Sequence, residues 1–121
     1  MSNSVENILL KLKNNPDEID FKKVIGAIAD DYEYFPTQFE NGGMMNASGV
    51  NEGSCKIFYF AKLQQLNVED TLALFGVYYR DEVLKDADGS SHANIRSFMR
   101  HGWGELNFFG AALVARTETA R

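Results

Sequence analysis

The sequence predicts a small, helix-dominated α+β domain with about five helices and a few short antiparallel strands. The 121 residues fit one domain, and 45% hydrophobic and 12% aromatic residues are an ordinary globular composition. Helical periodicity recurs in five separate segments. The strand-like segments gather in the middle and at the C-terminal end instead of alternating with helices, which argues against a doubly wound parallel sheet.

The first predicted helix lies within residues 1–16. Ser4 is its expected N-cap, and the Asn14-Asn15-Pro16 sequence ends it because proline cannot continue a helix. Its apolar side chains follow the i, i+3, i+4, i+7 spacing of one buried face: Val5, Ile8, Leu9 and Leu12. The segment therefore has the pattern of an amphipathic helix.

The second helix is predicted to start after an N-cap at Asp20. Ile19 before the cap and Val24 after it have the spacing of a hydrophobic staple. Acidic residues follow at Asp30, Asp31 and Glu33, where the helix dipole disfavours negative charge. We therefore expect this helix to end near these residues.

An irregular segment, residues 33–54, follows the second helix. It contains four glycines and three asparagines, which are typical turn residues. The Asn41-Gly42 pair lies between apolar residues and predicts a short β-hairpin at that point.

The third and fourth helices are predicted at residues 55–66 and from Asn67 onward. Ser54 is the expected N-cap of the third, which is apolar on most sides and should be the most buried element. Asn67 and Asp70 form a capping-box-like pair at the start of the fourth. We expect the fourth helix to continue until the break at residues 86–89.

The fifth helix is predicted from about Ser91 to His101, followed by two short strands at 106–108 and 111–115. Gly102 suits the left-handed position after the helix, and Trp103 should pack back on it. The inward face is expected to contain Ile95, Phe98 and Met99.

The charge and cysteine content exclude several classes of function. Seventeen acidic and twelve basic residues give a net charge of −5, which disfavours nucleic acids and anionic membranes as partners. Residues 17–40 alone carry seven acidic and two basic residues. The single cysteine excludes an internal disulfide and a cysteine-rich zinc site, and we expect no metal and no cofactor. No secretory signal pattern or apolar run long enough for a membrane span is present, so the cytoplasm is the expected compartment.

The only candidate catalytic pair is Cys55 with His92. A thiol in the first turn of a helix, next to Lys56, is expected to have a lowered pKa, and His92 is a potential base. His101 is the alternative base. A buried structural cysteine explains the same position, and we favour that interpretation.

A second hypothesis places a binding surface where two helix starts meet. Gly53-Ser54 and Gly89-Ser90-Ser91 precede helices, where backbone amides can hold phosphate or carboxylate, although simple N-capping explains both serines. His92, Arg96 and Arg100 have the spacing of a basic stripe, which is also typical of a solvated helix face. The predicted surface for a ligand or partner consists of Asn51, Glu52, Ser54, Lys56, His92, Asn94, Arg96 and Trp103.

An ordered set of segments resembles one family. These segments are Phe21–Ile28, Tyr32–Gly42, Asn51–Phe58, Thr71–Arg80, Asp88–Met99 and Gly102-Trp103. Together they are similar to the HopJ (HopPmaJ-like) type III effector family over residues 17–115, with residues 1–16 as an added N-terminal helix. The resemblance implies a bacterial protein delivered by type III secretion and assigns no reaction, cofactor or catalytic residue.

We therefore expect a HopJ-like effector that acts as a non-enzymatic binding protein. Its expected partner is an unknown protein or a small anionic ligand, and the chain is expected to be a monomer. Two alternatives remain open. One is a housekeeping protein of the bacterial cytoplasm, since Glu6 departs from the acid-free start of such effectors. The other is a small enzyme that uses Cys55 and His92.

Overall fold

The computed structural model describes residues 3–116 and confirms a helix-dominated α+β fold. Within that range lie a π-helical segment, Tyr78–Val83, and two 3-10 turns, Pro16–Glu18 and Trp103–Glu105. The α-helices are α1 (Asn3–Asn14), α2 (Phe21–Asp31), α3 (Glu52–Leu63), α4 (Val68–Ala73) and α5 (Ala93–His101). The strands are β1 (Tyr32–Tyr34), β2 (Phe39–Asn41), β3 (Met44–Asn46), β4 (Leu106–Phe108) and β5 (Leu113–Ala115).

The strands form two small antiparallel sheets. β1 pairs with β5, with Glu33 opposite Val114. β2 is the central strand of the order β3-β2-β4, and the predicted hairpin is its pairing with β3, with Asn41 opposite Met44. The two C-terminal strands that follow each other in sequence thus belong to different sheets, and each returns to a strand from the first half of the chain.

The core is built around α3, as predicted from its apolar surface. Phe58, on this helix, is fully buried. Its ring centroid lies 4.8 Å from that of Phe98, 5.4 Å from that of Phe75 and 6.3 Å from that of Phe39. These three rings come from α5, the segment after α4, and β2, so one side chain joins three parts of the fold.

Two predicted caps are confirmed and two are wrong. The Asp20 carboxylate accepts from the Lys22 amide, and the Asn67 side chain accepts from the Asp70 amide. Ser4 lies inside α1, and its hydroxyl donates to the Asp30 carboxylate at 2.9 Å. Ser54 lies at the third position of α3, because that helix starts three residues earlier than predicted.

The predicted fourth helix is interrupted at Gly76. This residue has φ +61°, and a Cβ at this position would lie 3.0 Å from the Ile19 carbonyl oxygen. The chain can pass so close to the start of α2 only without a side chain at this position. α4 ends at Ala73, and a turn leads from there to Gly76. The segment resumes as a π-helical turn, with the Leu84 amide donating to the Tyr79 carbonyl.

The C-terminal end of α5 is as predicted, whereas its buried face differs from the prediction at one residue. Gly102 is the C-cap with φ 65°, and the Trp103 ring meets the Phe98 ring edge-on at 5.1 Å. Ile95 and Phe98 are buried as expected, but Met99 is 41% exposed.

Within residues 3–116, no helix has the length and apolar character needed to cross a membrane.

Candidate ligand pocket between two helix starts

A pocket of about 260 Å³ lies where the starts of α3 and α5 meet. Its wall combines aromatic rings with polar side chains and with the first-turn backbone of both helices. The lining residues are Phe21, Asn51, Gly53, Ser54, Phe75, Tyr78, His92, Ala93, Asn94 and Ile95. Among the described residues of this wall there is no lysine and no arginine.

Both helices start without a side-chain cap. The N-cap residues Asn51 and His92 adopt left-handed backbone conformations, with φ 54° and φ 52°, and neither side chain bonds to its own helix. The first amides of an α-helix have no intrahelical acceptor. Among the residues that carry these open amides, Gly53 and Ser54 of α3 and Ala93 of α5 line the pocket.

The cap side chains are held by other partners. The Asn51 side-chain amide donates to Asn46 Oδ1 at 2.7 Å, and His92 Nε2 lies 2.7 Å from Glu82 Oε1. A non-glycine residue in the left-handed region is strained by about 1–2 kcal/mol, and a missing cap costs roughly 1 kcal/mol. Local helix stability alone therefore does not explain why α3 and α5 start from uncapped residues in left-handed conformations.

Buried asparagines fix the positions of the two helix starts. Asn46 and Asn94 form a reciprocal amide pair, with N–O distances of 3.1 and 2.9 Å. The Asn41 side-chain amide donates to Asn94 Oδ1 and to the Asn94 carbonyl. All three are less than 10% exposed. Since Asn46 also accepts from Asn51, this network ties the β2–β3 hairpin to the first turns of both helices.

Aromatic rings form the apolar side of the pocket. The Phe21 ring meets the Tyr78 ring edge-on at 5.0 Å and stacks on Phe75 at 6.3 Å. The His92 imidazole stacks on Tyr78 at 5.2 Å with an interplanar angle of 29°. The pocket thus offers flat apolar surfaces beside hydrogen-bonding groups, a combination typical of small-molecule sites.

The structure brings half of the predicted surface together. Asn51, Ser54, His92 and Asn94 all line the pocket. The other four predicted residues, Glu52, Lys56, Arg96 and Trp103, are not among its lining residues. Glu52 is exposed at the first position of α3. The Lys56 ammonium lies over the Tyr34 ring, 4.6 Å from its centroid, and Trp103 Nε1 donates to the Leu66 carbonyl.

The predicted basic stripe on α5 is not a solvated face. Arg96 is only 7% exposed, and its guanidinium donates to the carbonyls of Ser91 and Asp86. These bonds fasten the loop before α5 to the helix. His92 is turned toward Glu82, which leaves Arg100 as the exposed basic residue of the three.

Cys55 does not have the lowered thiol pKa that its place in the sequence predicted. The side chain is buried, and burial raises the pKa of the Cys55 thiol to about 11. The thiol donates to the Thr37 carbonyl at 3.7 Å, and Lys56 lowers the pKa by less than burial raises it. Cys55 is also absent from the described lining of the pocket that contains His92. The helix start does not activate the thiol because the side chain points into the core.

We expect native Cys55 to react slowly with an alkylating reagent near neutral pH, with a rate that rises until about pH 11. In urea the same thiol should react with its ordinary midpoint of 9.0. Because the folded chain keeps this proton to higher pH than the unfolded chain, the thiol should also lower stability as pH rises from 9.0 to about 11. A native midpoint at or below the urea value would contradict this assignment.

Two other cavities are less suited to a specific ligand. The groove between α1 and α2 has the larger volume, about 460 Å³, but lies between helix flanks with charges of both signs, such as Lys11 and Asp30. A cavity of about 220 Å³ beside Leu84 and Met99 includes Arg96, whose guanidinium is already bonded to the loop. Within residues 3–116, no three His, Cys, Asp or Glu side chains are grouped in a way that could hold a metal ion.

Glu82 and Asn46 are among the residues around this site that were missed in the sequence. Glu82 lies ten residues before His92, and Asn46 lies five residues before Asn51. Neither spacing is typical of a helix or strand pair, so no periodicity links them to the pocket. The glycine- and asparagine-rich segment was the available signal for Asn46, but it predicts turns and not a buried network.

Comparison with known proteins assigns the chain to a family through one family model. The model of the HopJ type III effector protein family matches residues 5–113, a range that begins earlier than the expected start at residue 17 and includes most of α1. The chain is also similar to the crystal structure of a protein of unknown function, VPA0580, with 40% sequence identity and a TM-score of 0.91. That similarity covers 96% of this chain and 95% of the other. Comparison with curated proteins gives no significant match. The chain belongs to the HopJ type III effector family.

Proposed function

We propose that this chain is a type III effector that acts by binding, and that its binding site is the pocket between α3 and α5. The observation that carries the proposal is the pocket itself, in which aromatic rings, polar side chains and two uncapped helix starts surround a volume of about 260 Å³.

Family membership supports delivery by a type III system. A reporter fused to residues 1–50 should then be exported only when that system is functional, and retention would contradict delivery.

The expected ligand is small and partly flat, with a polar or singly negative end. The rings of Phe21, Phe75 and Tyr78 suit a flat apolar body. The open amides at Gly53 and Ala93 suit a hydrogen-bond acceptor at the other end. With no lysine or arginine among the described lining residues, we expect a carboxylate or an amide in preference to a multiply charged phosphate.

Three probes of similar shape and different charge test the pocket: benzoate, benzamide and benzylammonium. We expect the first two to bind and benzylammonium to bind at least ~10-fold more weakly, since the helix starts present donors and positive partial charge. The variant Ala93→Leu fills the pocket and should abolish binding. Ala47→Leu, at an exposed turn, is the matched control and should bind like the parent chain. Equal binding to both variants would overturn this site.

A further inference from the structure

Glu82 lies outside the pocket lining but contacts the pocket residue His92. Its carboxylate oxygen Oε1 lies 2.7 Å from His92 Nε2, although Glu82 is not among the residues that line the cavity. The Glu82 side chain is 52% exposed and that of His92 is 28% exposed. The partner of a pocket histidine is thus a carboxylate on a side chain that is about half exposed to solvent.

The π-helical segment is what brings two side chains to the imidazole. Within Tyr78–Val83, the Tyr78 ring stacks on His92 and the Glu82 carboxylate meets its Nε2. The segment is wider than an α-helix, as its bond from the Leu84 amide to the Tyr79 carbonyl shows. The His92 ring is therefore held by a stacking contact and by a hydrogen bond from the same turn.

The hydrogen bond between Glu82 and His92 decides which nitrogen of the His92 ring carries the proton. An ionised carboxylate only accepts hydrogen bonds, so a neutral imidazole next to Glu82 must place its hydrogen on Nε2. Nδ1 then has a free lone pair and acts as an acceptor. Since Nε2 is already bonded, any hydrogen bond between neutral His92 and a ligand in the pocket uses Nδ1.

We propose that Glu82 is a positioning residue that fixes His92 with its proton on Nε2, so that the pocket prefers a ligand with a hydrogen-bond donor facing Nδ1. The ligand class is a small flat molecule whose polar end both accepts from the helix amides and donates to His92, as a primary amide or a hydroxyl group does. This inference rests on the proposed binding function of the pocket.

The first test needs no ligand and uses ¹⁵N NMR of the histidine rings at a pH where titration shows His92 to be neutral. The parent chain should show the Nε2–H form. Glu82→Gln should keep most of it, because its side-chain carbonyl can still accept from Nε2–H although its amide group can also donate to Nε2. Glu82→Leu should give a mixture of both forms. His101 is the internal control, since its neighbour is Glu105 and its signals should not change. A pure Nε2–H form in Glu82→Leu would overturn the role of Glu82.

The second test compares benzamide with N,N-dimethylbenzamide, which lacks the N–H donors. We expect benzamide to bind about 10-fold more tightly to the parent chain and to Glu82→Gln, and the preference to be lost in Glu82→Leu. If both probes bind the parent chain equally and Ala93→Leu abolishes the binding of both, the pocket is confirmed as the binding site and the proposed preference for a donor is wrong. If neither binds the parent chain, the proposed function fails, while the ring-proton measurement still decides the role of Glu82.

Discussion

Replacing Phe58 with alanine should lower the free energy of unfolding by about 3–5 kcal/mol, as is usual when a buried phenylalanine is removed. Phe58 is fully buried and contacts the rings of Phe39, Phe75 and Phe98. Its removal therefore opens a cavity at the point where β2, α3 and α5 meet. Urea denaturation followed by circular dichroism measures the change.

Leu63→Ala on the same helix is the matched control. Its side chain is 44% exposed, so its substitution should change the free energy of unfolding by no more than about 0.5 kcal/mol. Similar losses in the two variants would show that α3 is not the centre of the core. The comparison separates core packing from helix propensity, because both changes introduce alanine into the same element.

Replacing Asn94 with alanine should cost about 2–4 kcal/mol, because it leaves buried amide groups without partners. Asn94 Oδ1 accepts from Asn41 and Asn46, and its own amide donates to Asn46. All three groups are buried, so water cannot replace the lost bonds without entering the core. The same variant should also bind benzamide more weakly, since Asn94 lines the pocket and ties α5 to the hairpin.

Asn107→Ala tests whether this cost comes from burial. Asn107 is an exposed residue of β4, and its substitution should be nearly neutral. Denaturation of both variants under one set of conditions gives the comparison. An Asn94→Ala variant as stable as the parent chain would mean that the amide network contributes nothing to the fold.

The parts of the fold that follow local rules were predictable. Asp20 and Asn67 cap their helices because each has a short polar side chain directly before a periodic apolar segment. Gly102 ends α5 for the same kind of reason, since a left-handed residue is needed there. Asp20 and Asn67 act through their side chains and Gly102 through its backbone amide, and each bonds to backbone no more than four residues away. The local sequence therefore supplies the information.

The site depended on contacts that local patterns do not contain. Ser54 is an excellent capping residue, yet α3 starts at Glu52, after an Asn51 that is held by Asn46. Arg96 has the spacing of a solvated stripe, yet it is buried against loop carbonyls. Gly76 lies in a predicted helix, yet its close approach to Ile19 interrupts that helix. Tertiary hydrogen bonds and close packing override helix rules in all three places.

Amide-resolved NMR titration is the most direct test of the pocket between the two uncapped helix starts. Added benzamide should produce saturating shifts in the backbone amides of Gly53, Ser54, Ala93, Asn94 and Ile95, because these residues line the cavity. The signals of the α1–α2 groove, such as those of Lys11 and Gly26, should stay unchanged. Shifts confined to that larger groove, or no saturable shifts at either helix start, would contradict the account.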